Sequence, residues 1–275
     1  MNGILYLVAT PIGNLEDITF RAIRILKEVD IILAEDTRKT LKLLNHYDIQ
    51  KPLISFYRHN EGVKSEHVLS LLEEDKNLAL VSDAGTPAIS DPGEDLVKLL
   101  IEHDIKIVPI PGSVACIQGL ICSGFDVSKF AFEGFLSINK RCRKERLEIL
   151  KNEERTMVFY EAPHKLKRTL QDFKEAFGGD RRIVLAREIT KIHEEMLRLT
   201  VDEAIAYYEE NEVKGEFVIV LEGVHKKEEI VEETIKELME QYLEEGYDKK
   251  EAMKLVAKKK GISKSEVYKE LLKTE

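Results

Sequence analysis

The sequence predicts an α/β fold with two successive α/β domains, residues 1–123 and 124–224, and a helical, helix-turn-helix-like tail over residues 225–275. Three observations predict it. Short apolar runs alternate with helical periodicity along the first 110 residues. A second alternation begins after Gly124 with more polar positions inside its strand-like runs, and near His225 the chain turns into charged, helix-patterned repeats.

Ile4 to Ala9 is an unbroken apolar run that ends at Thr10-Pro11-Ile12-Gly13-Asn14, as a buried strand ends at a turn. Thr19 then caps a helix whose apolar residues Phe20, Ile23, Leu26 and Val29 recur at helical spacing. Strand-like runs follow at Ile31–Ala34, Leu53–Phe56, Leu78–Ser82 and Ile105–Ile110, with helical stretches near 40–47, 64–74 and 94–103 between them. That order implies a mainly parallel sheet covered on both faces, with any ligand at the carboxyl ends of its strands. The second set reads as Phe130–Leu136, helix 141–152, Thr156–Glu161, helix 163–176, Ile183–Arg187, Glu195–Thr200, helix 202–210 and Glu216–Leu221, with antiparallel pairs expected. In the tail Ile230, Ile235, Leu238, Tyr242 and Leu243 share a stripe. Gly246 ends that helix, Asp248 caps the next, Gly261 stops it, and Ser263 with Glu266 forms a capping box for the last.

Composition narrows the function classes. The 275 residues, 43% hydrophobic, suffice for two ordinary domains. Cys116, Cys122 and Cys142 have neither zinc-knuckle nor redox spacing and read as reduced thiols. No run approaches the roughly 18 apolar residues of a membrane helix, and the start lacks the basic flank of a signal peptide, so a cytoplasmic location without membrane association is expected. The net charge of −9 is uneven: residues 1–136 carry 13 basic and 20 acidic groups, residues 137–198 carry 16 and 11, and residues 199–275 carry 13 and 20. The basic middle contains Lys140, Arg141, Arg143, Lys144 and Arg146, then Lys165, Lys167 and Arg168, which suit a polyanion; a solvated helix face is the alternative for any one cluster.

Four strand-end loops are rich in small residues and proline: Thr10–Asn14, Glu35–Arg38, Ser82–Gly93 and Pro111–Ala115. Such loops let main-chain amides approach a ligand, and four on one sheet edge favour a nucleoside-sized pocket. Neither Gly-x-Gly-x-x-Gly nor a P-loop is present, which argues against a dehydrogenase or a nucleotide kinase. No cluster has metal-ligand spacing, and no metal is expected.

These loops, with Phe159-Tyr160-Glu161-Ala162-Pro163-His164 and Ala186-Arg187-Glu188-Ile189-Thr190-Lys191, resemble the motif series of the ribosomal RNA small subunit methyltransferase I family, cytidine 2′-O-methyltransferases of 16S rRNA within the tetrapyrrole methylase superfamily. The likeness runs over about residues 4–223. It implies a non-Rossmann, class III pair of α/β domains that holds S-adenosylmethionine (SAM) in the cleft between them, as a homodimer acting on 16S rRNA of the small ribosomal subunit. By position, the SAM contacts it implies are Pro11, Ala84, Gly85, Thr86, Ile89, Val114, Ala115, Glu161 or Ala162, and Thr190. The sequence departs from the pattern where Thr86-Pro87 replaces the Asp-Pro of tetrapyrrole enzymes, and where Ser113-Val114-Ala115 moves a hydroxyl to Ser113.

Methyl transfer to a hydroxyl needs alignment and a base. Candidates are Glu35, Asp36, Glu188, Lys191 and His164, with Asp36 favoured and Arg38 orienting it or holding a phosphate; a pair that merely fixes the loop is the alternative. Tyr57 and Arg58, beside His59 and Asn60, suit a splayed nucleotide. Two other readings stay open: a methylase of the same superfamily acting on a tetrapyrrole or a protein side chain, and a non-enzymatic ribosome-assembly factor that binds RNA.

Overall fold

A computed structural model describes residues 2–58, 60–224 and 234–273. His59, His225 and Ile230, which the sequence reading used, lie outside the described residues. The chain divides into two compact units, Met1–Val224 and His225–Glu275.

The first unit opens with β1 (Ile4–Val8), α1 (Phe20–Glu28), β2 (Ile31–Ala34), α2 (Thr37–His46), β3 (Leu53–Ser55), α3 (Glu61–Glu73), β4 (Leu78–Val81), α4 (Glu94–Glu102), β5 (Lys106–Ile110) and α5 (Ala115–Ile121). The five strands form a sheet in the order β3-β2-β4-β1-β5, every pair parallel. Its strands are apolar on both faces because helices cover both. Leu5, Leu33, Leu78 and Leu80 pack with Val68, Leu72, Leu96 and Leu100 of α3 and α4. On the other face Val8, Ile32, Ala79 and Val81 meet Ala22, Leu26 and Leu44 of α1 and α2. Thr19 does cap α1, its hydroxyl oxygen accepting from the Ala22 amide at 3.0 Å.

The second half contains β6 (Phe130–Phe135), α6 (Lys140–Leu150), β7 (Thr156–Glu161), α7 (Pro163–Phe177), β8 (Arg182–Arg187), β9 (Glu195–Thr200), α8 (Val201–Glu210) and β10 (Phe217–Leu221). Its sheet runs β6-β7-β10-β8-β9, with β6–β7 parallel and the other pairs antiparallel. One face, with Met157, Phe159, Leu185 and Ile219, is covered by Leu147, Leu166, Phe173 and Val201 from α6, α7 and α8. The opposite face carries Val158, Val184, Ala186, Val218 and Val220, and its cover is Cys116 and Leu120 of α5, with Ile12 and Val114 from the first half at the edge.

Helix α5 was not anticipated. It is seven residues long, follows Pro-Gly and has a glycine inside, so propensity argues against it. Burial against the second sheet stabilises it instead, and Gly119 permits the contact: a Cβ there would lie 2.8 Å from Val218 Cγ1.

The second unit consists of α9 (Ile235–Glu244), α10 (Lys249–Lys260) and α11 (Lys264–Lys273) around Leu238, Met239, Ala252, Val256 and Val267. Its punctuation follows from side chains: Asp248 Oδ1 accepts from the Lys250 and Glu251 amides, both at 2.8 Å, and Gly261 closes α10 at φ 66°. Ser263 and Glu266 exchange backbone-to-side-chain bonds of 2.7 and 3.3 Å.

Because Val218 is β-branched and buried, Gly119→Leu has nowhere to place its side chain. The substitution is expected to lower unfolding free energy by about 1–3 kcal/mol or more in urea melts. A variant as stable as the parent would show that α5 does not fix the two halves against each other.

Candidate active site

The loops after β1, β2, β4 and β5 lie together at the carboxyl edge of the first sheet, and side-chain and backbone bonds sew them. Thr10 and Gly85 exchange backbone hydrogen bonds of 2.8 and 3.0 Å, for which Gly85 adopts φ 83°. The Asp36 amide donates to Asp83 Oδ1 at 3.0 Å, and Lys39 Nζ to Asp83 Oδ2 at 2.7 Å. The Thr86 hydroxyl donates to the Ser113 carbonyl at 3.1 Å. Across from them stand the ends of β7 and β8 and the start of β10, and a cavity of about 510 Å³ lies between. That volume is within the range of small-molecule sites.

The cavity brings together many of the residues expected at the site. Ala84, Gly85, Thr86 and Ile89 line it from the long loop, Val114 and Ala115 from the start of α5, and Glu161, Ala162 and His164 from the β7–α7 turn. Glu35, Glu188 and Lys191 complete that set. Pro11, Ser113 and Thr190 do not line it; Ile12 and Ile189 stand at the wall in place of their neighbours. Ser113 contributes a carbonyl as acceptor, not the hydroxyl expected of it.

Asp36 and Arg38 require a correction. Neither lines the cavity. Asp36 Oδ1 accepts from the Arg38 amide at 2.9 Å and caps α2, while the Arg38 guanidinium closes on both carboxylate oxygens at 3.2 and 3.0 Å. The Arg38 contact holds the Asp36 carboxyl down to about 2. A carboxylate so stabilised is a poor proton acceptor, and the pair fixes the loop.

From the loops of the first sheet, the carboxylates that face the cavity are Glu35, Asp83 and Asp91. Burial, then the neighbouring Asp83, raises Glu35 above its ordinary value. Burial, then Glu35 and Asp83, pushes Asp91 up to about 6. Arg58 is close enough for its charge to act on both Glu35 and Asp91 in the opposite sense. Asp91 was not singled out from the sequence; the signal available was its place in a Gly/Pro-rich loop shared with another aspartate. Glu188 behaves differently: burial raises it, but Lys191 Nζ at 2.8 Å and the Glu216 amide at 2.8 Å outweigh burial and leave it below its ordinary value.

Three non-glycine residues in these loops, Ala88, Glu188 and Thr190, have left-handed backbones with φ of 67°, 50° and 66°. For a β-branched threonine this is costly, and such strain concentrates at functional sites. Thr190 Oγ1 is also buried, with no hydrogen-bond partner among the described residues.

Of the basic residues expected on RNA, Lys140, Arg141, Lys144, Arg146, Arg168 and Arg58 are exposed and Lys165 is half-buried. Arg143 must be withdrawn from that set. Its side chain is only 6% exposed, with Nε on Asp172 at 2.5 Å and Nη2 on the Thr169 hydroxyl at 2.8 Å. Thr169 in turn donates to Glu161 Oε2 at 2.5 Å, so Arg143 helps to seat a residue of the cavity wall. Arg146 is bound by Glu133 through two 2.8 Å bonds, which offsets its charge.

One positioning residue escaped the sequence reading altogether. Glu61 is 7% exposed and accepts, through Oε1, from the amides of Gly93, Asp95 and Leu96 at 3.0, 3.2 and 3.2 Å. It caps α4 from the start of α3 and so anchors the end of the loop that carries Asp91. Glu61→Ala is expected to destabilise the chain by about 1–3 kcal/mol, because two buried amides and one partly buried amide lose their acceptor. Glu61→Gln keeps an acceptor oxygen and restores part of the loss; thermal melts of the two variants check this.

Comparison with known proteins places the chain in a family. The family model described as Tetrapyrrole (Corrin/Porphyrin) Methylases matches residues 4–205. A ribosomal RNA small subunit methyltransferase I of Halalkalibacterium halodurans is 47% identical over 97% of this chain and 93% of its own length. A protein of the same name from Thermotoga maritima is 49% identical over 80% of this chain and 99% of its own length. A uroporphyrin-III C-methyltransferase from Thermus thermophilus, solved with S-adenyl homocysteine, shares the fold at 16% identity, with a TM-score of 0.57 over 80% of this chain and 97% of that one. By the matched residues and by full-length likeness to these relatives, the chain belongs to the tetrapyrrole methylase family, in the group of ribosomal RNA small subunit methyltransferase I proteins.

Proposed function

We propose that this chain transfers a methyl group from S-adenosylmethionine to the 2′-hydroxyl of a cytidine in 16S ribosomal RNA of the small subunit, as a cytoplasmic homodimer. The observation that carries the reading is the cavity between the two sheets, lined by the loops whose motifs resemble that family and closed on one side by an acidic wall. A wall of Glu35, Asp83 and Asp91 suits a cationic sulfonium and disfavours a polycarboxylate tetrapyrrole.

The residues present fit the cofactor. Gly85 gives the main chain close passage past Ile12, where a Cβ would stand 3.1 Å from Ile12 Cγ2. Ile12, Ile89, Val114 and Val218 supply apolar surface for a nucleoside. Ala84 to Thr86, Val114, Ala115 and Ala162 would hold it. When bound, SAM supplies an electrophilic methyl carbon open to in-line attack by a hydroxyl oxygen.

The chain's own part is alignment and proton transfer. Asp91 accepts the hydroxyl proton on its carboxylate as the ribose oxygen attacks, and its raised value suits a base working near neutral pH. Arg58 offsets the acidic wall for an approaching phosphodiester, and exposed Lys140, Lys144 and Arg168 add positive charge for the RNA.

The test is transfer of labelled methyl from SAM to small-subunit RNA. Label recovered in an alkali-resistant dinucleotide supports the 2′-oxygen, and label on a base contradicts it. Asp91→Asn is expected to slow transfer roughly 10²-fold or more while SAM still binds, whereas Asp36→Asn has little effect on turnover. In the parent chain kcat/KM should rise with pH through about 6, as Asp91 loses its proton. The same raised value makes protonated Asp91 the better folded form, so its contribution is full below about pH 4 and is lost as pH rises through about 6. Asp91→Asn should therefore melt above the parent at pH 8 and level with it below pH 4, as checked by calorimetry.

A further inference from the structure

The second unit has a divided charge. Helix α9 carries Lys236 against Glu237, Glu240 and Glu244. From Asp248 to Leu272, eight lysines stand against four acidic residues. Two of those four carboxylates, Asp248 and Glu266, are bound to amides at helix starts. The small core uses one side of each helix, which leaves the lysines outside.

The lysines are ordered. Lys250, Lys254 and Lys258 follow one another every four residues on α10, all exposed, with a rise of about 6 Å per step. Like charges at that spacing repel one another, and a polyanion laid along them relieves the repulsion. On α11 the same interval places Lys264, Tyr268 and Leu272, and the two apolar members are 52% and 55% exposed. Lysines in series on one helix and an exposed aromatic ring on the next are the composition that single-stranded nucleic acid takes.

The second unit also lies outside the family match, which covers residues 4–205. The Thermotoga maritima relative matches 80% of this chain yet 99% of its own length, so it is shorter by about the length of the second unit. About a fifth of this chain is thus unmatched in a protein of the same name, a length close to that of the second unit.

We propose that α9–α11 form an RNA-holding module in which Lys250, Lys254, Lys258 and Lys264 pair with phosphates of small-subunit RNA and Tyr268 stacks on an unpaired base. The module adds affinity to a reaction carried out by the first unit, and in that respect it rests on the function proposed above.

The test uses the full chain with Lys250→Gln, Lys254→Gln, Lys258→Gln and Lys264→Gln combined, and Tyr268→Ala separately. Binding to small-subunit RNA is measured against salt, alongside methyl transfer. Loss of four phosphate contacts should flatten the slope of log affinity against log salt by about 3 and weaken binding on the order of 10²-fold near 0.1 M salt. Tyr268→Ala should weaken it roughly tenfold with the slope kept. In transfer assays the loss should fall on the KM for RNA and not on kcat, with melting temperatures unchanged. Equal affinity and slope in parent and lysine variant overturn the proposal whatever the transfer assay shows. Normal RNA binding with lost association to the assembled subunit assigns the surface to a ribosomal protein and overturns it too. A parent chain that binds RNA through these lysines but transfers no methyl group leaves the module standing and removes the reading of the first unit.

Discussion

The first unit depends on an apolar seam: a short helix from the first half lies across the open face of the second sheet. Cys116 and Leu120 meet Val158, Val184, Val218 and Val220 there, and the glycine between them brings the helix backbone close. An antiparallel sheet tolerates one solvated face, but this face is apolar and must be covered. Covering it with α5 also determines where the strand-end loops of the first sheet fall. They end opposite the β7–α7 and β8–β9 turns, and the space left between is the cavity.

Electrostatics then divides the labour among side chains that look alike in the sequence. Four carboxylates lie within or beside the loops after β2 and β4. Asp36 is held by a guanidinium and by helix amides, and stays ionised far below neutral pH. Asp83 is engaged by Lys39 and by the Asp36 amide. Glu35 and Asp91 have less compensation, and burial together with their like-charged neighbours raises both. One set builds the scaffold, while the raised pair retains the proton affinity that a base requires.

Much of the architecture was legible because the signals were local. Continuous runs such as Leu78–Val81 mark strands buried on both faces, and Thr19, Asp248 and Ser263 cap helices through bonds to amides two or three residues away. What escaped were decisions made by distant contacts. Helix α5 forms against local propensity because a sheet remote in sequence buries it. Arg143 belongs to a basic run, but Asp172, 29 residues on, draws it inward. Glu61 sits in an ordinary loop motif, and only the fold brings the amides of Gly93 to Leu96 onto it. The choice between Asp36 as base and Asp36 as loop clamp needed the position of one guanidinium, which spacing alone does not give.

A crystal structure of the chain with S-adenosylhomocysteine tests the central claim most directly. The ligand is expected between the Ala84–Thr86 loop and the Ala162 and Val218 wall, with its sulfur on the Asp91 side of the cavity. Density for the ligand at any other surface, with this cavity left to solvent, would contradict it.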